Sequence, residues 1–327
     1  MTRLGWLLPF VMPLLAADSL LVLNKDDAAM VVVDPSTGKV IGRVLVGEGP
    51  HELVTDSAGK LAFASNYGTG PNPGNTISVV DLVTVRELRR VDVSPLKRPH
   101  GLFFAGGKLY FSAEANKAFG RYDPVADRID WIAGTGQETT HMVMVSKNLR
   151  QIYTANISGN SISIFDFDEK RRSRPDESWV QTVVPVGRGP EALDLSPDGR
   201  ELWTAHSQDG GVSIIDLATK KVTGTFNAGT KRSNRLKFTP DGKRILISDL
   251  AAGELLVFDV ATRKEIKRLT LGKSPEGILI VPDGSRAYVA VNGDHFLAVV
   301  DLKTLEVTGR IEPGAGPDGM AWVTGLR

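Results

Sequence analysis

Short runs of alternating apolar and polar residues recur along this chain, and Gly, Pro, Asn and Asp separate them. The stretch from Gly189 to Phe226 is the clearest example, with a first run that closes at a Ser-Pro-Asp-Gly turn and three runs after it. Period-two alternation rich in β-branched residues predicts strands, because a strand places successive side chains on opposite faces. Pro early in the turn and Gly at its positive-φ position favour a tight reversal. This stretch is therefore predicted to form four antiparallel strands.

The four-strand pattern repeats along the chain. A predicted strand that ends in Asp recurs at separations of 42 to 50 residues, at Asp34, Asp81, Asp123, Asp166, Asp216, Asp259 and Asp301. Units of this length that hold four short strands are typical of β-propeller blades. We therefore predict an all-β fold, a seven-bladed β-propeller with four-stranded antiparallel blades.

The two ends of the chain are predicted to share one blade. The N-terminal unit offers only three strands, at 20–24, 30–34 and 39–46, while the C-terminal end offers a lone first strand at 318–323. Pairing the lone strand with the other three completes the seventh blade and hides both edges. We expect two segments in all, a signal peptide over residues 1–17 and one propeller over residues 18–327.

The repeats resemble the YVTN family of β-propeller proteins. The resemblance rests on recurrent Gly-x-Gly-Pro, on Pro-Asp-Gly turns, on strands such as 152–156 (IYTAN) and on Asp-x-x-Thr-x-x-Val segments, and it covers essentially residues 19–325. More distantly, the repeat length and the Pro-His and Glu residues at the channel mouth are similar to lactonase-type propellers. The YVTN resemblance implies a propeller and most often a non-catalytic binding or scaffold role, although this class spans unrelated activities.

The first seventeen residues have the features of a secretory signal. Arg3 precedes an apolar run from Leu4 to Leu15, and small residues follow at Ala16 and Ala17. The run is too short to cross a bilayer as a helix, which takes about 20 apolar residues. We therefore expect an exported protein, periplasmic or secreted, without a membrane span.

Composition narrows the chemistry. The chain has no cysteine, which excludes disulfides, thiolate metal ligands, a cysteine nucleophile and Cys-x-x-Cys-His haem attachment. A formal net charge of +1 gives no support to nucleic-acid binding. The sequence also lacks a phosphate-binding glycine loop and an HExxH motif. We expect a monomer whose partner is a small anionic ligand or a periplasmic protein.

One position in each repeat carries the candidate site. The residue next to the start of each first strand is polar in all seven repeats and takes three of the five histidines: His51, His100, His141, Glu191, Asn234, Glu276 and Asp318. First strands are innermost in a propeller, so this ring is predicted to converge on the channel axis. The ends of the second strands, which include Glu114 and His206, are predicted to form a second ring on the same face. Alternatively, these polar groups only bond backbone or channel water.

Two ligand classes fit this mouth. His51, His100 and His141 suit a divalent metal as cofactor, although they stand on three successive blades of a wide ring. A basic arc that includes Arg98, Arg188 and Arg235 suits an anionic small molecule. The sequence thus predicts a binding or scaffold module with its ligand at the channel mouth.

A lactonase-like hydrolase is the alternative that the second resemblance implies. In that case His100 or His141 acts as general base, Glu191 or Glu276 orients it, and Arg235 stabilises the oxyanion.

Overall fold

The structure is a computed structural model and describes residues 17–171 and 178–326. The described residues form seven four-stranded antiparallel sheets. The predicted all-β seven-bladed propeller is therefore confirmed. The predicted signal peptide lies outside the described residues, apart from Ala17.

The strands of each blade run from the channel outwards in chain order, except in the closing blade. The closing blade contains β28 (Pro317–Val323), β1 (Ser19–Asn24), β2 (Ala29–Asp34) and β3 (Lys39–Leu45). Blade 1 contains β4 (Pro50–Thr55), β5 (Leu61–Gly68), β6 (Pro73–Asp81) and β7 (Arg86–Asp92). Blade 2 contains β8 (Pro99–Ala105), β9 (Lys108–Ala113), β10 (Ala118–Asp123) and β11 (Arg128–Gly134). Blade 3 contains β12 (Thr140–Val145), β13 (Gln151–Asn156), β14 (Ser161–Phe167) and β15 (Trp179–Pro185).

The remaining blades keep the same order. Blade 4 contains β16 (Pro190–Leu195), β17 (Glu201–His206), β18 (Gly211–Asp216) and β19 (Lys221–Asn227). Blade 5 contains β20 (Ser233–Phe238), β21 (Arg244–Asp249), β22 (Glu254–Asp259) and β23 (Glu265–Thr270). Blade 6 contains β24 (Pro275–Ile280), β25 (Arg286–Val291), β26 (Phe296–Asp301) and β27 (Glu306–Ile311). Short 3-10 helices lie at Glu114–Asn116, Glu169–Arg171 and Asn292–Asp294.

The hydrophobic core lies between the faces of neighbouring blades. Middle strands such as β1 and β22 are buried along nearly their whole length, because both of their faces pack against other blades. Outer strands such as β19 alternate between exposed and half-buried residues. This difference explains why middle strands read as continuous apolar runs and outer strands read as alternating ones.

The closing blade joins the two ends of the chain as predicted. β28 pairs antiparallel with β1, with Ser19 opposite Val323 and Leu21 opposite Ala321. Leu20 and Val22 of β1 then pack with Tyr288 of blade 6 in one buried cluster. Both edges are thereby paired, so the ring closes without an exposed first strand.

The recurrent Asp at the end of the third strand fixes a turn in most blades. The Oδ1 atom of Asp216 accepts hydrogen bonds from the backbone N–H and the hydroxyl of Thr219, both at 2.7 Å. The same pair of bonds recurs at Asp81, Asp259 and Asp301. These positions therefore serve the fold. Within the described part of the chain, no helix has the length and apolarity that a bilayer crossing requires.

Candidate ligand site at the channel mouth

A backbone irregularity aims one side chain per blade at the channel. Where each innermost strand begins, its pairing with the next strand shifts register, in all seven blades. The residue at this shift is the predicted ring residue. A β-bulge bends the strand and re-aims its side chain, which suits positions that line a site.

Hydroxyl groups of the second strands hold these bulges and link neighbouring blades. In blade 2, Oγ of Ser112 accepts the N–H of Gly101 at 2.8 Å and donates to the carbonyl of His141, in blade 3, at 2.5 Å. In blade 5, Ser248 accepts from the N–H of Arg235 at 3.0 Å and donates to the carbonyl of Glu276 at 2.8 Å. The ring positions are therefore fixed relative to one another.

A cavity of about 610 Å³, here called the mouth cavity, opens at the end of the channel where the inner strands begin. All seven predicted ring residues line it, together with Lys25, Tyr67, Glu114, Ile157, Ser207, Gln208, Arg232, Arg235 and Leu250. Its volume is within the range of small-molecule sites, about 300–1,000 Å³. The structure thus brings nine of the twelve predicted site residues into one cavity.

One side of the mouth cavity, here called the histidine wall, consists of His51, Tyr67, His100, Glu114 and His141. The ring centres of His100 and His141 are 3.8 Å apart, and those of His51 and His100 are 5.0 Å apart. Nδ1 of His141 donates to Oε2 of Glu114 at 3.0 Å, and the Tyr67 hydroxyl donates to Oε1 of the same carboxylate at 2.9 Å. Nδ1 of His51 donates to the carbonyl of Gly49 at 2.8 Å.

Burial keeps parts of the histidine wall uncharged. Burial lowers the pKa of His51 to about 4, aided by the positive charge of Lys25. Burial also lowers the pKa of His100 well below its usual value, and His141 and His51 add to this shift. For Glu114, burial acts to raise the pKa, but the hydrogen bonds from His141 and Tyr67 outweigh it and hold the pKa below its usual value.

A second side of the cavity holds a buried three-residue charge cluster, here called the Lys25 cluster. Nζ of Lys25 lies 2.5 Å from Oε2 of Glu276 and 2.8 Å from Oδ2 of Asp318. Burial and the neighbouring Asp318 raise the pKa of Glu276 to about 7. Burial acts against the charge of Asp318 as well, but Lys25 and Arg235 hold its pKa below the usual value.

Arg235 lies buried at the start of β20 and joins the rest of the cavity lining. Its guanidinium forms an ion pair with Glu52, and Nη1 donates to Oδ1 of Asn234 at 3.1 Å. Asn234 in turn donates to Oε1 of Glu191 at 2.8 Å. Burial disfavours the charge of Arg235, but Glu52 and the other nearby carboxylates raise its pKa above the usual value. The innermost cations are therefore already matched by carboxylates.

Three predicted site residues do not line the cavity. His206 lies buried behind the lining, with its Nδ1 2.9 Å from Oδ1 of Asp209. Arg98 stacks on the ring of Tyr67, with its guanidinium carbon 4.7 Å from the ring centre. Arg188 is exposed at the rim, where Nη2 donates to the carbonyl of Gln208 at 3.4 Å.

The strand register explains why Glu114 lines the cavity and His206 does not. The residues opposite the first residue of each inner strand are Asn24, Asn66, Ala113, Asn156, His206, Asp249 and Val291. Glu114 therefore lies one position beyond the repeat position of His206. The residues one position further on are the ones that line the cavity, and they include Lys25, Tyr67, Glu114, Ile157, Ser207 and Leu250.

Sequence reasoning missed Lys25 and Tyr67 for this reason. The signal was present in the sequence, because each directly follows an Asn of the predicted second ring. Asn24 and Asn66 themselves bond backbone, with Asn24 donating to the carbonyl of Pro313 and Asn66 accepting from the N–H of Gly47.

The metal-ligand group differs in one member from the predicted one. The sequence pointed to His51, His100 and His141. In the structure, donor atoms of His100, Glu114 and His141 all lie within 4.8 Å of one another, and His51 stands outside this group.

Fold and site together define a seven-bladed β-propeller with a polar ring at its channel mouth. The family model of YNCE-like β-propellers matches residues 125–286, and the YVTN-type repeats are consistent with this match. Antigen Lp49 of Leptospira interrogans is 27% identical over 57% of this chain and 42% of its own length. The chain thus spans less than half of this curated relative.

Solved structures with the same fold include proteins named as lactonases. The periplasmic gluconolactonase PpgL of Pseudomonas aeruginosa matches with a TM-score of 0.76 and 18% identity, over 94% of this chain and 99% of that chain. Hydrazine synthase of Kuenenia stuttgartiensis matches with a TM-score of 0.70 and 19% identity, over 83% and 88% of the two chains. At these identities the likeness concerns the fold alone.

Proposed function

We propose that this protein is an exported, monomeric binding module that holds a small anionic ligand at the mouth cavity. The observation that carries the proposal is the state of Arg232. This side chain lines the cavity, is half exposed, and has its nearest carboxylate, Glu191, only at 3.8 Å. Unlike Lys25 and Arg235, it is therefore available to a ligand.

Two further cations, Arg188 and Lys231, precede the inner strands of blades 4 and 5. Both are exposed and form no salt bridge with any described residue. An arginine can hold a carboxylate or phosphate through two parallel hydrogen bonds, and nearby lysines add attraction. We therefore place the anionic group of the ligand at the rim of blades 4 and 5, with its polar body in the cavity.

Calorimetric titration with 6-phosphogluconate tests this proposal, because this sugar acid carries both a carboxylate and a phosphate. The double variant Lys231→Ala/Arg232→Ala should bind at least about tenfold more weakly than the wild type, as expected for lost charge-assisted bonds. Lys243→Ala is the matched control, since Lys243 is exposed in the Pro-Asp-Gly turn of the opposite face. Equal affinity of the double variant, or no binding by the wild type, would reject the rim site.

A hydrolase is the second candidate, and the Lys25 cluster favours it. The Glu276 carboxyl lies in the cavity with its pKa raised to about 7, which suits a group that exchanges protons near neutral pH. If the protein hydrolyses lactones, as the names of its fold neighbours suggest for them, δ-gluconolactone should disappear faster than in buffer. Glu276→Gln should then lower the rate by about 100-fold or more. A wild-type rate equal to that of buffer rules this candidate out.

A further inference from the structure

We infer that the histidine wall is a divalent transition-metal site, formed by His100, His141 and Glu114. The inference rests on the proposed function in one respect only: the metal occupies the same mouth cavity as the anionic ligand. It adds a second component to the site, and the chemistry that defines it is separate from the cationic rim.

The spacing of the donor atoms suits a single ion. One nitrogen from each imidazole and one carboxylate oxygen lie within 4.8 Å of one another. Two ligands of one tetrahedral zinc ion, each at about 2.1 Å, are about 3.4 Å apart. Side-chain shifts of about 1 Å therefore bring the three donors to bonding distance.

Each of the two imidazoles has a ring nitrogen without a partner. Nδ1 of His100 and Nε2 of His141 are buried, and neither forms a hydrogen bond with any described residue. Buried polar atoms are nearly always hydrogen-bonded, and each exception calls for an explanation such as an ion. His206 also has a buried unpartnered nitrogen, but it is outside the cavity, and its ring bonds to Asp209. His100 and His141, by contrast, belong to one donor group with a carboxylate.

The surroundings of the three donors resemble a supporting shell. Nδ1 of His141 and Oε2 of Glu114 are 3.0 Å apart, so an ion that replaces the proton between them would meet both atoms. Tyr67 donates to the other oxygen of Glu114 and holds the carboxylate in place. Metal-binding carboxylates are commonly held by hydrogen bonds of this kind. Nδ1 of His51 bonds to the carbonyl of Gly49, so a third imidazole stands beside the group.

Charge balance also favours a cation here. Among the described residues that line the cavity, the carboxylates of Glu114, Glu191 and Asp318 equal in number the cations Lys25, Arg232 and Arg235, and Glu276 is partly ionised near neutral pH. Glu52, paired with Arg235, adds a further carboxylate and makes the sum negative. A divalent cation would offset this excess. Imidazole nitrogens with one carboxylate suit zinc, copper, nickel or cobalt rather than magnesium or calcium.

The metal and the anion should therefore assist each other. An added positive charge at the histidine wall reduces the repulsion that the cavity carboxylates exert on an entering anion. Coupling between two ligands is reciprocal, so each should raise the affinity of the other by the same factor. For a charge shared across one cavity we expect about fivefold or more.

Titration of chelator-treated protein with Zn²⁺ by calorimetry, and with Co²⁺ by visible absorbance, tests the metal site. We expect one ion per chain. His100→Ala and His141→Ala should each weaken Zn²⁺ binding about 100-fold or more, and Glu114→Gln should weaken it about 10- to 100-fold. His295→Ala is the control, because His295 is exposed and outside the mouth cavity.

Melting curves of the metal-free proteins separate loss of the site from loss of the fold. If the alanine variants unfold, Glu114→Gln keeps the test decisive, since it preserves the shape of the side chain. Sub-stoichiometric Zn²⁺ binding by the wild type would overturn the inference. Equal Zn²⁺ affinity of the wild type and the folded variants would overturn it too.

A second titration, with 6-phosphogluconate in the presence and absence of Zn²⁺, keeps the two proposals distinct. Zn²⁺ binding without anion binding supports the metal site and rejects the anion-binding function. Anion binding without Zn²⁺ binding does the reverse. Binding of both with at least about fivefold mutual enhancement supports the shared cavity, whereas binding of both without enhancement overturns the coupling.

Discussion

Glu276 and Asp318 are two carboxyl groups that share one lysine inside the mouth cavity. Burial opposes ionisation of both, and each negative charge makes the other less favourable. Lys25 does not affect the two groups equally. The pKa of Asp318 lies below its usual value, whereas that of Glu276 lies above it. A pair of carboxyls with separated pKa values can hold a charge and a proton side by side at neutral pH.

The raised pKa of Glu276 predicts how the stability of the protein depends on pH. Because its folded pKa of about 7 exceeds the ordinary 4.5, its stabilising contribution is complete below about pH 4.5 and is lost as pH rises through 7. Glu276→Gln removes this titration. The free energy of unfolding of the variant, minus that of the wild type, should therefore increase between about pH 5 and pH 8, by up to about 3 kcal/mol.

Denaturant unfolding at several pH values measures this difference. Glu306→Gln, an exposed substitution on β27, is the control and should show a flat difference. A flat profile for Glu276→Gln would contradict the environment described for the Lys25 cluster.

The buried ion pair of Arg235 with Glu52 gives a second prediction at this scale. Arg235→Met leaves Glu52 without its cation, and breaking such a pair costs about 3–5 kcal/mol. Adding Glu52→Gln removes the stranded charge, so the double variant should recover part of the loss. Thermal and urea unfolding report both effects. A single variant as stable as the wild type would show that the pair has no structural role.

At the scale of the strand and turn, every blade has a bulge at its inner strand, and blades 1, 4, 5 and 6 combine it with an Asp-x-x-Thr turn at the outer hairpin. The bulge aims a side chain at the channel, whereas the turn lies near the outer rim and has no contact with the mouth cavity. In these blades the residues that line the cavity and the residues that fix the outer turn are therefore separate.

Asp216→Ala tests this separation. The variant loses the two hydrogen bonds to Thr219, and we expect a measurable decrease in the free energy of unfolding. Affinities for Zn²⁺ and 6-phosphogluconate should remain those of the wild type. A change in either affinity without a change in stability would contradict the assignment of Asp216 to the fold.

The repeat pattern predicted most strands because each one satisfies its own period and turn chemistry. The ring residues from His51 to Asp318 all line one cavity, since one repeat position recurs at an equivalent place in every blade. Register near the strand ends was harder to predict, because a bulge inserts a residue without changing the local apolar pattern. That is why Glu114 was grouped with His206 and why Lys25 escaped notice.

Pairings between distant side chains were also beyond the sequence. The ion pair of Arg235 with Glu52 joins residues 183 positions apart, and it depends on how far the two side chains reach across the channel. Similarly, the long second-to-third-strand loop of blade 1 gave no sign that Tyr67 would hold Glu114 in blade 2. The position of a residue within its repeat predicts where the residue lies around the channel axis. It does not predict how far the side chain extends or which side chain it contacts.

At the scale of the whole molecule, the closing blade is the point where the ring is held together by non-covalent pairing alone. β28 and β1 come from opposite ends of the chain, and their pairing runs from Ser19 with Val323 to Asn24 with Pro317. The other blades each form within one continuous segment. The ring is therefore expected to open first at this blade.

A circular permutant tests this view of the closure. In the variant a short glycine linker joins residue 326 to residue 18, and the new ends lie between Ile311 and Pro317. All four strands of the closing blade are then consecutive in the chain. The permutant should therefore still fold, and its unfolding rate should be lower than that of the wild type. A matched permutant has the same linker but its new ends lie between β19 and β20, so no blade is interrupted. In it, too, β28 and β1 are joined covalently, and it should unfold as slowly as the first permutant. Faster unfolding of both would contradict the proposed weak point.

Asp18 and Gly325 meet on the face away from the mouth cavity. The N–H of Gly325 donates to Oδ1 of Asp18 at 3.1 Å, at the far ends of the strands whose near ends carry Lys25 and Asp318 into the mouth cavity. A bead, sensor chip or fused reporter attached directly beside Asp18 or Gly325 would therefore lie behind the propeller. Immobilised in this way, every molecule would present its cavity to the flowing solution, with one orientation built in by the topology of the ring.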